Sequence, residues 1–126
     1  MSQDVVSDAL NSMKNAQKSG KIEVEIKRIS NLLIEILKIM KQKEAIKKYK
    51  INIQKKSVEI TLGKFSECRA IKPRFTVNKL QIEKYRRRFL PARNIGTIII
   101  STNKGLLTHE EAIEEGTGGS LIAYFY

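Results

Sequence analysis

Val6, Ala9, Leu10, Met13 and Ala16 recur at the three- and four-residue spacing that lines one face of an α-helix. Gly20 follows where a left-handed C-terminal cap is needed. The period then changes: in KIEVEI, Ile22, Val24 and Ile26 alternate with charged residues, the pattern of a half-buried strand. A second helical stripe of Leu33, Ile36, Leu37 and Met40 runs behind Ser30, a good N-cap. It closes among Lys38, Lys41 and Lys43, whose charge suits the negative end of the dipole. Tyr49, Ile51 and Ile53, then Val58, Ile60 and Leu62, alternate around Gln54–Ser57 and predict a hairpin. The first half thus reads helix, strand, helix, strand, strand, enough to close a small core.

From Gly63 the punctuation differs. CRAIKPRFTV reads as extended, with Pro73 placing it at a sheet edge or a bend. Asn78 with Gln81 predicts a capping box for a short helix carrying Ile82, Tyr85 and Phe89, and Pro91 stops it. NIGTIII predicts a strand, and Thr108 with Glu111 predicts a better capping box, opening a helix of about two turns. Gly116, Gly118 and Gly119 close that helix, and SLIAYFY returns as a final strand. The expected fold class is α+β, built as two small α/β domains. An N-terminal α-β-α-β-β domain covers 1–63, and a β-rich domain with short helices covers 64–126.

Composition narrows the function. A chain of 126 residues can bury roughly two thirds of its unfolded surface, so it needs neither disulfide nor metal to fold. Its one cysteine, Cys68, and one histidine, His109, leave no internal bridge and no metal cluster, and both suit a reducing, cytoplasmic setting. MSQDVVSDALNSMK lacks the layout of a signal peptide, and LLIEILKIM, interrupted by Glu35 and Lys38, is too short to span a bilayer. Catalysis lacks its parts. Nothing brings His109 and Cys68 together, HEEAI has no second histidine, and G-T-G-G is not a phosphate loop. No enzyme, cofactor, metal, membrane or small-molecule substrate is expected.

The net charge is +11, unevenly spread: zero over 1–20, +14 over 21–93 and −3 over 94–126. Such an excess in the middle favours a polyanion, nucleic acid first. Phosphate attraction carries no selectivity, whereas RNA loops and distorted pairs are read by short polar groups. IIISTNKG offers such groups: Ser101, Thr102 and Asn103 donate and accept, Lys104 can reach a phosphate, and Gly105 lets backbone approach closely.

ISTNKGLLTHEEA followed by GTGGSLIAYFY resembles the C-terminal signature of the small-subunit ribosomal protein eight family, a universal family. CRAIKPRF and FLPARNIG resemble its archaeal and eukaryotic branch, and DALNSMKNAQKSGK is similar to the family's opening helix. Arg28, Asn31, Arg69, Asn103 and Ser120 depart from the usual residues at their positions. The resemblance implies a two-domain protein that binds small-subunit ribosomal RNA at an irregular central-domain helix. It also implies neighbouring small-subunit ribosomal proteins as partners and a cytoplasmic place in the small subunit. It assigns RNA contact to Ser101, Thr102, Asn103, Lys104 and Gly105, with Gly118, Gly119 and Ser120 close by. Lys14, Asn15, Lys27, Arg28, Ser30 and Asn31 form an N-terminal RNA edge. Charge alone adds Lys72, Arg74, Arg86, Arg87, Arg88 and Arg93. Two other readings stand beside this one. One is a protein-docking module that lends the Val58–Leu62 strand or the SLIAYFY tail to a partner's sheet. The other is a regulatory messenger-RNA binder using the same surface.

Overall fold

The computed structural model describes residues 5–72, 76–92 and 95–126. Pro73, Arg74 and Arg93 therefore lie outside the described residues. The chain divides into two compact units, 1–68 and 69–126.

In the first unit the helical stripe becomes α1 (Val5–Lys18), whose Val6, Ala9, Leu10, Met13 and Ala16 are all buried. Strand β1 (Glu23–Ile26) leads to α2 (Asn31–Gln42), and the hairpin of β2 (Ile46–Asn52) and β3 (Ser57–Leu62) completes the unit. The sheet order is β1-β3-β2, antiparallel throughout. Val58, Ile60 and Leu62 turn one face of β3 inward while Glu59 stays exposed, and α1 packs on β1 and α2 on β2. Leu33, Ile36, Leu37 and Met40 are fully buried, each worth about 1.5–3 kcal/mol of apolar transfer. Cys68 closes this unit with its thiol donating to Leu10 O at 3.3 Å. Burial pushes that thiol up to about 12, with the carboxylate of Glu67 adding to the shift and Lys14 opposing it.

Two residues of the expected apolar faces are exposed. Ile22 is 69 % exposed and Ile53 is 83 % exposed. Pairing explains both: the β1–β3 ladder begins at Glu23 and the β2–β3 ladder ends at Asn52, so each isoleucine sits just past its strand.

The second unit holds a sheet of order β4-β8-β6-β7, with β5 also paired to β8. Its strands are β4 (Cys68–Ala70), β5 (Thr76–Val77), β6 (Thr97–Thr102), β7 (Gly105–Thr108) and β8 (Gly119–Phe125). The helices are α3 (Lys79–Phe89) and α4 (His109–Glu115). Both capping boxes form, Asn78 with Gln81 and Thr108 with Glu111. Ile98, Ile100 and Leu121 of the sheet meet Ile82 of α3 and Ala112 of α4 in one core. His109 is a structural residue: it is buried, and its Nδ1 accepts the Ile98 N–H at 3.1 Å, tying the start of α4 to β6.

This topology removes one reading. β3 lies between β1 and β2, and β8 lies between β6 and the β4/β5 side. Neither the Val58–Leu62 strand nor the SLIAYFY tail has an open edge, so strand addition through them is excluded.

Candidate nucleic-acid interface

The row Ser101–Gly105 forms the tip of a tight hairpin. Thr102 pairs with Gly105 across Asn103 and Lys104, and the chain returns as β7, a strand the hydrophobic pattern did not reveal. Gly105 has φ +105°, a backbone conformation that side-chain-bearing residues rarely adopt. The Thr102 hydroxyl braces the turn from within: it donates to Gly105 O at 2.8 Å and accepts the Lys104 N–H at 3.1 Å. Thr102 therefore offers an outside ligand little beyond its second lone pair. Ser101 and Asn103 carry no such commitment among the described residues. Lys104 lies 3.5 Å from Glu115, an exposed pair that a phosphate can readily replace.

Ser101 is half-buried in a central strand. It faces Leu106 of β7 on one side and Ser120 of β8 on the other. Ser120 in turn faces Thr76 of β5, with the two hydroxyls 3.5 Å apart. Directly opposed residues of antiparallel strands share a face, so Ser101, Ser120 and Thr76 form one row of hydroxyls across the sheet. Thr76 was not among the sequence candidates. No periodicity marks it; only the register of β5 on β8 brings it in.

Gly118 and Gly119 have a structural reason to be glycine. A Cβ at Gly119 would run into the Ser101 carbonyl oxygen, and one at Gly118 into the Val77 carbonyl oxygen. They let three strands close up around the serines.

In the first unit, Lys27 and Arg28 are exposed in the link between β1 and α2. Ser30 caps α2 by accepting the Leu33 N–H at 3.2 Å and keeps its own proton available, while Asn31 is exposed at the first helical position. No acidic residue occupies the first turn of α2, so the positive end of its dipole adds to the two cations. Arg28 reaches only 4.0 Å from Asp8, with both side chains largely exposed. Asn15 is exposed on α1. Lys14 is engaged differently: its ammonium pairs with Glu67 at 2.7 Å and its side chain is only 14 % exposed. This cation belongs to the fold of its unit.

The arginine run separates likewise. Arg86 is 8 % exposed and its guanidinium donates twice to Glu83 Oε1, at 2.9 and 2.7 Å. These hydrogen bonds raise its pKa further above the ordinary value, against a smaller desolvation effect. Arg87 and Arg88 are exposed, and Lys72 is exposed just after β4. Among the described residues no group of three metal-ligating side chains occurs, and no helix is long and apolar enough to cross a membrane.

A model of the family described as ribosomal protein S8 matches residues 4–126. The chain belongs to the ribosomal protein S8 family. It is 43 % identical to the small ribosomal subunit protein uS8 of Nanoarchaeum equitans (strain Kin4-M), covering all of both chains. It is 38 % identical to the small ribosomal subunit protein uS8my of Arabidopsis thaliana, again over the full length of both. Family membership makes the chain a structural protein of the small ribosomal subunit that binds ribosomal RNA, and not an enzyme.

Proposed function

We propose that this chain holds an irregular helix of the central domain of small-subunit ribosomal RNA in its assembled shape, reading it with the β6–β7 hairpin tip. Ser101 and Asn103 serve as donors and acceptors toward base edges or ribose 2′-hydroxyls. Gly105 allows close backbone approach, and Lys104 exchanges Glu115 for a phosphate. Ser120 stands beside Ser101, while Gly118 and Gly119 keep the strands close enough for both to face one ligand. Thr102 acts mainly on the turn. Asn15, Lys27, Arg28, Ser30 and Asn31 form a second RNA edge on the N-terminal unit, and Lys72, Arg87 and Arg88 add phosphate attraction. Lys14 and Arg86 are left out because carboxylates already hold them.

The observation that carries this reading is the braced tip. A two-stranded ladder and the Thr102 hydroxyl fix the position of Ser101 before RNA arrives, so little ordering entropy is lost on binding. Such a preorganised array favours one RNA conformation over misfolded alternatives. Neighbouring small-subunit proteins and a cytoplasmic ribosome complete the setting.

The test is binding of the chain to the isolated helix with its internal loop intact and with the loop closed into regular pairs. We expect at least about tenfold tighter binding to the intact loop, the difference that one or two lost polar partners produce. Equal affinities would overturn the reading.

A further inference from the structure

A second surface of the C-terminal unit has different chemistry. Arg69, Ala70, Ile71 and Lys72 at the end of β4 face Arg88 and Phe89 of α3 and Tyr124 of β8 across a cleft of about 290 Å³. Of the seven described lining residues, three are cations and none is an acid. Arg69, Lys72 and Arg88 are exposed, while Phe89 and Tyr124 are half-buried. The two rings lie 5.1 Å apart and begin a longer series, with Tyr85 stacked 6.3 Å from Phe89 and Tyr126 stacked 6.3 Å from Tyr124. The Arg88 guanidinium lies 5.6 Å from the Phe89 ring centre, so a flat cation already rests against this aromatic wall.

Aromatic rings flanked by cations, in a space too narrow for a duplex, match an unstacked nucleotide: the base lies along the rings and the phosphate meets the cations. An acidic peptide would use the charges but leave the rings without a partner. We propose that this cleft binds a single unpaired nucleotide of RNA, separate from the helix read by the hairpin tip. The proposal rests on the ribosomal-RNA reading above but uses none of its contact surface at 101–105. Arg69, which was not among the sequence candidates for RNA contact, joins Lys72 and Arg88 as a phosphate ligand, and Tyr124 with Phe89 supplies the stacking wall.

The experiment measures the full chain against two probes, a short single-stranded oligouridylate and the central-domain helix with its internal loop. Tyr124→Leu should weaken the single strand about tenfold and leave the helix within about twofold. The double variant Arg69→Gln with Lys72→Gln, which touches only exposed side chains, should weaken the single strand more than the helix. Ser101→Ala should do the reverse. In the wild-type chain, an oligouridylate carrying 4-thiouridine should crosslink to Phe89 or Tyr124. The cleft assignment is overturned if crosslinks map elsewhere, or if folded Tyr124→Leu binds the single strand as wild type does. It is also overturned if a photoreactive group at Lys72 captures protein instead of RNA in assembled subunits. A wild-type chain that binds the single strand but not the helix would sink the hairpin reading and leave the cleft standing.

Discussion

The β6–β7 hairpin tip and the Lys27–Asn31 link both present exposed polar groups, yet they hold them differently. At the tip, ladder pairing on both sides of Ser101 and two hydrogen bonds through Thr102 fix short uncharged groups. In the link, long cationic side chains extend from a connection that leads into the start of a helix. Lysine and arginine heads on flexible stems find any phosphate, whereas a serine hydroxyl on a central strand accepts only a partner in the right place. On the proposed reading, selectivity belongs to the tip and affinity to the link.

The tip is most vulnerable at Gly119. A methyl group there would collide with the Ser101 carbonyl. Gly119→Ala should therefore cost about 3 kcal/mol or more in urea unfolding and abolish selective RNA binding with it.

Cys68 gives the next largest effect, confined to the unit that carries the link. Its thiol, ordinarily near 9.0, is held up to about 12 by burial in the fold. Between those values the unfolded chain loses the proton while the folded chain keeps it. The stabilisation is thus complete below pH 9 and disappears as pH rises toward 12, at up to about 1.4 kcal/mol per pH unit. Unfolding measured across this window should show the slope in the wild type and lose it in Cys68→Ala.

Thr102→Val should cost about 1 kcal/mol of stability, because the turn loses its internal brace. It should weaken RNA binding through that loosening, whereas Ser101→Ala should weaken binding without moving the unfolding midpoint. If Thr102→Val leaves stability unchanged, the brace is not holding the tip. The smallest effect belongs to the link. Lys27→Gln should weaken cognate and scrambled RNA alike and lower the slope of log affinity against log salt by roughly one.

Helix and strand order could be read from periodicity because each segment keeps one period: α1, α2 and both capping boxes lie where spacing puts them. Ladder ends could not. Ile22 and Ile53 continue the alternation past the last pair, and alternation names a face without saying where a partner strand stops. β7 was hidden because Leu106 and Leu107 are adjacent instead of alternating. Arg86 was legible in principle: it stands four residues after the buried Ile82, on the same helical face, with Glu83 one turn before it. Three consecutive arginines concealed that phase. At the tip, sequence supplied the residue types, but only the hairpin shows that the Thr102 hydroxyl is occupied and that, among the described residues, the Ser101 hydroxyl is not. As candidate contacts, Thr76 and Arg69 emerge only from register and packing.

On the proposed reading, the Ser101 hydroxyl makes a specific bond to RNA. A double-mutant cycle tests it most directly, pairing Ser101→Ala with single 2′-deoxy substitutions through the internal loop. One loop position should couple to Ser101 by about 1 kcal/mol, with the two losses failing to add there and adding elsewhere. Losses that add at every loop position would show that Ser101 touches no ribose in that loop, and would contradict the account.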